Sequence, residues 1–158
     1  MPQTSTEPTF LPLTTSAARA AAQNHNDQNH NDQNHDGPRH DDPRARAAAR
    51  VVLRCAAEAD AAAADCWAAL LADCNSPGRR LLASRLRALT EATASYAGAA
   101  WWHGEGSHLR RRVTEAQHHL VEAAREADGE DFAEAFVGYD QAIATTVVAV
   151  QTRLSSPA

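Results

Sequence analysis

The stretch Trp101 to Arg112, WWHGEGSHLRRR, sets two of the chain's three tryptophans beside two histidines and three consecutive arginines. Guanidinium forks pair with carboxylates and phosphates, and indole faces accept stacked rings or cations. The composition therefore suits an anionic partner: an acidic protein segment, a phosphate group or single-stranded nucleic acid. The candidate contacts are Trp101, Trp102, His103, His108, Arg110, Arg111 and Arg112. Arg46, Arg50 and Arg54 join them as a ladder along one side of a predicted helix, spaced to track phosphates or acidic groups. A plainer reading stands beside this one, in which a tryptophan plugs the end of a small-residue core and the arginines are solvated. All 15 basic residues are arginine. That is the codon bias of a GC-rich bacterium, so arginine abundance alone carries no functional weight.

Catalysis finds less support. A di-metal carboxylate bundle needs inward-facing Glu-x-x-His pairs, and the chain offers Glu115-Ala116-Gln117-His118 once, on an outward face. His118 and His119 have Glu122 and Glu115 at helical spacing, as surface pairs. Cys55, Cys66 and Cys74 fall in one predicted helix, too far apart along its axis to pair with one another. They share its inward face as small core residues. No nucleophile elbow occurs. The expectation is a protein that is not an enzyme, with no cofactor and no metal centre. His25, His30, His35 and His40 recur every fifth residue in and after the repeat NHNDQNHNDQNHD. Weak binding of nickel, copper or zinc is the alternative to a neutral linker there, and ordering such a segment around a metal costs entropy.

The elements that must position these residues follow from hydrophobic periodicity. Residues 1–42 are polar and repetitive, with two arginines against six acids, and are expected to form a disordered acidic tail. Within it, TTSAARAAAQ could form a short helix capped by Thr15 or Ser16. The folded domain is expected over 43–158. Its first helix starts with Asp42 as N-cap and Pro43 at the first helical position, and runs to Cys74. A second runs to Trp101 on a seam of Leu82, Leu86, Leu89, Thr93, Tyr96 and Ala100. HGEGS ends it, and Ser107 caps a third, His108 to Ala127. After Asp128-Gly129 the fourth carries Phe132, Phe136, Tyr139, Ile143, Val147, Val150 and Leu154. Four amphipathic helices with short connections predict an all-α, up-down-up-down four-helix bundle, the alternative being a three-helix core with a separate first helix. Alanine at many inward positions leaves a thin apolar core, which favours a homo-oligomer.

Net charge is −5, most of it in residues 1–42. The first three predicted helices place arginines early and acids late, against the helix dipole. With alternating directions, the starts of the first and third share an end with the Trp101–Arg112 loop and with the finish of the fourth. That end gathers Arg44, Arg46, Arg50, Arg54, Arg110, Arg111, Arg112 and Arg153 against Glu105 and Glu115. A basic pole faces an acidic remainder.

Trp102-His103-Gly104 resembles the Trp-x-Gly turn of the small helical-hairpin proteins exported by type VII secretion. The likeness covers the second and third predicted helices with their loop, and implies that those two pack around the turn. The chain departs from that pattern in its extra first helix, its polar tail and its break at Asp128-Gly129. The Tyr-x-x-x-Asp/Glu export signal is also missing, since Ile143 stands four residues after Tyr139.

The expected function is a non-enzymatic interaction or regulatory module whose basic, aromatic pole binds an acidic protein partner, and which self-associates. Alternatives are an anionic-ligand or nucleic-acid binder using the same pole, and a type VII-like hairpin protein. No run reaches the roughly 18 apolar residues of a membrane span. The first residues also lack the basic start and apolar stretch of a signal peptide. A cytoplasmic protein without a membrane partner is expected.

Overall fold

Phe132, Phe136, Tyr139, Ile143, Val147 and Val150 recur at helical spacing, and all are buried. The helix that carries them is therefore the one around which the others gather. The computed structural model describes residues 9–23, 42–72 and 77–155, which form six helices and no strand. They are α1 (Pro12–Gln23), α2 (Pro43–Ala72), α3 (Pro77–Ala97), α4 (Ala99–His103), α5 (Ser107–Arg125) and α6 (Gly129–Ser155). α2 with α3 and α5 with α6 form antiparallel pairs, and α6 also packs on α1, α3 and, more lightly, α2.

The all-helical class is as expected, and the short helix allowed for within TTSAARAAAQ is present, but it is also a member of the bundle, a place the sequence reading did not give it. α2 and α6 would close a four-helix ring, and α1 packs along both of them instead. The expectation of a disordered tail over 1–42 is thus corrected for residues 9–23. Leu11 is fully buried, and the α1 face Thr14, Thr15, Ala18 and Ala21 is buried too. Small residues on that face permit a close helix approach, while Pro12 at the first helical position needs no donor partner. The histidine repeat, with His25, His30, His35 and His40, lies outside the described residues, as does Cys74.

Neither Thr15 nor Ser16 caps α1; two carboxylates from other helices do. Asp140 of α6 accepts the Leu13 and Thr14 amides at 3.1 and 2.8 Å. Asp60 of α2 accepts those of Thr9, Phe10 and Leu11 at 3.4, 2.8 and 2.9 Å. Asp140 is only 3% exposed. A buried carboxylate is costly without donors; here it meets the positive end of a helix and two of its unpaired N–H groups. Phe10 then seats against Phe136, Phe132 and Trp67, with ring centroids 5.1, 6.0 and 6.3 Å away. Trp67 stacks on Phe132 at 6.1 Å. These contacts fix the directions: α1 runs with α6 and against α2.

Asp42 caps α2 as expected, its Oδ1 accepting the Arg44 amide at 3.0 Å. The second predicted helix stops short of Trp101, because Gly98 at φ 86° breaks it after Ala97. Ala100 is consequently exposed rather than on the seam. Ser107 does not cap α5, whose N-cap is Gly106 without a side-chain bond. α5 closes through Asp128 N–H to Ala123 O and Ala127 N–H to Ala124 O, both 3.3 Å, with Ala127 at φ 56°. This is a Schellman closure with alanine where glycine is favoured. Asp128 Oδ1 then accepts the Asp131 amide at 3.1 Å and starts α6.

One polar chain crosses the core. The Tyr139 hydroxyl donates to Leu86 O at 3.0 Å and lies 2.9 Å from Thr90 Oγ1, which lies 2.8 Å from the Gln117 amide. Burial pushes the Tyr139 hydroxyl far above its ordinary value of 10.0. Below that value folded and unfolded chains are both protonated, so the residue contributes no pH dependence. Above it the unfolded chain ionises first, and stability falls by up to about 1.4 kcal/mol per pH unit. Tyr139→Phe is expected to flatten this alkaline slope, read from urea midpoints between about pH 9 and 11.5. Cys55 and Tyr96, also raised by burial, leave a smaller residual slope.

Candidate functional site

α6 finishes beside the end of α3. Arg153 donates from Nη2 to Ala97 O at 3.0 Å, and its guanidinium lies 5.6 Å from the Trp101 ring centroid. Because α2 runs against α6, the start of α2 lies at this same end, with the Gly98–Gly106 turn and the start of α5. The alternation of helix directions therefore brings the arginine-rich starts to one end. It does not bring them to one face. α2 and α5 are not packed side by side, since α3 and α6 intervene. Arg50 and Arg54, both exposed, sit on one flank, and the Arg110–Arg112 cluster sits on another. Arg46 belongs to neither, being half-buried with its Nε enclosed and unpartnered.

The two indoles serve the fold. Trp102 is 6% exposed and belongs to the core, so it is withdrawn from the candidate contacts. Trp101 is half-buried between Arg153 and the turn. A Cβ built on Gly106 would meet its ring at 2.5 Å, so the glycine is required for the indole to lie there. Arg110 donates from Nε to Trp102 O at 3.2 Å and braces the same turn. His103, His108, Arg111 and Arg112 are exposed. Of the ten expected contact residues, these four form the accessible part of the α5 side.

Other pairings differ from the helical-spacing expectation. His119 Nε2 lies 3.0 Å from Asp131 of α6 rather than pairing with Glu115. Glu122, by contrast, keeps a pairing that helical spacing does predict, with Arg125 three residues on at 3.2 Å, and leaves His118. Burial, and then the neighbouring Glu58 charge, push the Cys55 thiol above its ordinary range. That disfavours the nucleophilic thiolate. Among the described residues, no three His, Cys, Asp or Glu side chains gather as metal ligands, and no helix is long and apolar enough to cross a membrane.

Sequence reasoning missed Asp60 and Asp140 altogether. A signal for Asp140 was present: it follows Tyr139 on the inward arc of α6, between Phe136 and Ile143, where an acid needs donors. The donors lay over a hundred residues away, in and beside a short helix that the sequence reading placed in the tail and not in the bundle.

Fold and site together define an all-helical bundle with a latched N-terminal helix and an arginine-rich end. No known protein family, curated protein or solved structure matches the chain. The likeness to the Trp-x-Gly hairpins stays confined to the turn. The helices flanking it take different main partners, α3 packing on α2 and α5 on α6.

Proposed function

We propose that this protein is a non-enzymatic, cytoplasmic interaction module that binds an acidic protein segment through the α5 side of its arginine-rich end. The observation that supports this reading is the exposure of Arg111 and Arg112, which have no ion pair among the described residues. His103 and His108 border them. With Trp102 buried and Trp101 half-buried against Arg153, the end offers little of the aromatic platform on which single-stranded nucleic acid stacks. What remains is guanidinium recognition of carboxylates.

The test uses a fluorescent oligoglutamate peptide and the full chain. Affinity is expected to fall about tenfold on moving from low to physiological salt. Arg111→Glu combined with Arg112→Glu is expected to weaken binding by at least about tenfold. Arg110 is left in place because it braces the turn. Unchanged binding by the double variant would overturn the reading, and preferential capture of a single-stranded oligonucleotide would favour the nucleic-acid alternative.

A further inference from the structure

We infer that the acidic partner of this end is the opposite end of a second copy of the chain, docked antiparallel across the outer faces of α5 and α6. The inference rests on the reading of the arginine-rich end given above, and names its partner.

The first observation is the outer face of α6. Val137, Gly138, Gln141, Thr145, Val148 and Thr152 are exposed at successive turns, and no charged residue interrupts them. Val137 is 57% and Val148 50% exposed. Leu13, 49% exposed and tied by its amide to Asp140, extends the patch onto α1. An uncharged strip along a helix flanked by charged neighbours is a surface suited to burial.

The second observation is the order of charges on the α5 flank of that strip. It reads His108, Arg112, Glu115, His119, Glu122 and Glu126, and it inverts about Gln117. Arg112, Glu115 and His119 line a shallow cleft against Gly138, Gln141 and Ala142 of α6, which places this flank beside the uncharged strip. A second α5 laid antiparallel sets Arg112 opposite Glu122, His108 opposite Glu126 and Glu115 opposite His119. The Arg112–Glu122 pairing joins opposite charges, the other two set an imidazole nitrogen against a carboxylate oxygen, and a two-fold axis makes each of them twice. Glu122 and His119 keep part of their surface open while holding Arg125 and Asp131, with side chains 37% and 54% exposed.

The third observation is the molecular dipole. Glu126, Asp128, Glu130 and Glu134 are exposed at the end opposite Arg111 and Arg112. Antiparallel copies place each basic end on an acidic one, whereas parallel copies oppose like charges. A helix of 27 residues is roughly 40 Å long. A strip of that length and two helices wide offers on the order of 800 Å2, the area that each partner contributes to a stable complex.

Sedimentation velocity on the full chain, across a concentration series at low and high salt, tests the inference. The wild type is expected to dimerise, and less so in high salt. Arg112→Glu, Glu122→Arg and Val137→Asp should each weaken the dimer at least tenfold while helicity stays unchanged, since Arg112 and Val137 are exposed and Glu122 is engaged in a surface pair with Arg125. Arg112→Glu with Glu122→Arg restores opposite signs across the axis, and should return the dimer to within about threefold of wild type. A wild type that stays monomeric yet binds oligoglutamate through Arg111 and Arg112 overturns the second-copy inference and leaves the basic-end reading standing. A monomer that fails to bind oligoglutamate overturns both. A dimer indifferent to Val137→Asp, or not rescued by the charge exchange, uses another face and overturns the inference.

Discussion

Asp140→Ala is expected to destabilise the protein by about 3 kcal/mol and to free α1 from the bundle. The substitution removes the acceptor of two amides, Leu13 and Thr14, and each buried donor left unpaired costs about 1–3 kcal/mol. It also removes a negative charge from a helix N-terminus, worth up to about 2 kcal/mol in a partly buried setting. Water reaching the amides after α1 shifts recovers part of this, which sets the net near the lower sum. The remaining anchors, Asp60, Phe10 and Leu11, all act before its first residue, and the buried face of α1 itself is threonine and alanine. The expected readouts are a lower urea midpoint, faster proteolysis between residues 9 and 23, and a loss of far-ultraviolet helical signal matching a 12-residue helix. Asp140→Asn keeps one acceptor oxygen and should fall between. Asp60→Ala should cost less, about 1 kcal/mol, because Asp60 is only half-buried and water can replace it. Equal midpoints and equal N-terminal protection for Asp140→Ala and wild type would mean that the latch contributes nothing.

The latch also shows where sequence reading stops. The seams of α3 and α6 were legible because Leu82, Leu86, Leu89 and Phe132 to Val150 repeat at helical spacing and end up buried. Asp42 and Pro43 were legible because capping is local: donor and acceptor lie two residues apart. α1 was legible as a short helix but not as part of the core, on the same grounds. Its N-terminal acceptors come from Asp60 and Asp140, and its burial comes from a groove that exists only once α2 and α6 are folded. TTSAARAAAQ has no large apolar residue, and the local caps it offers, Thr15 and Ser16, are not the acceptors its helix uses, so its order is tertiary. At the candidate site, residue type indicated the end of the bundle but not the face. Trp102 reads as a binding residue by composition and is a core residue by position. The separation of Arg50 and Arg54 from Arg111 and Arg112 follows from which helices neighbour each other, which periodicity does not encode.

Phe132→Ala is the second substitution with a large expected effect, about 4 kcal/mol, the middle of the range for deleting a buried phenylalanine. Phe132 is fully buried, and the rings of Phe10, Trp67 and Phe136 all lie against it. The surrounding groups, the rings of Phe10, Trp67 and Phe136, are rigid and poorly shaped to collapse into the gap. Total stability for a domain is about 5–15 kcal/mol, so the variant should stand near its unfolding threshold. The cost should also be shared with the N-terminal segment. Phe10 is half-buried, and its alanine variant should lose about 1–2 kcal/mol. Combined with Phe132→Ala, it should lose about 1 kcal/mol less than the sum of the two, because the Phe10–Phe132 contact is already gone. Additivity within a few tenths of a kcal/mol in urea titrations would show that Phe10 is held by its neighbours' shape alone. A clear coupling would identify the aromatic cluster, together with the two carboxylates, as what holds a segment that looks unstructured by composition in the core of the bundle.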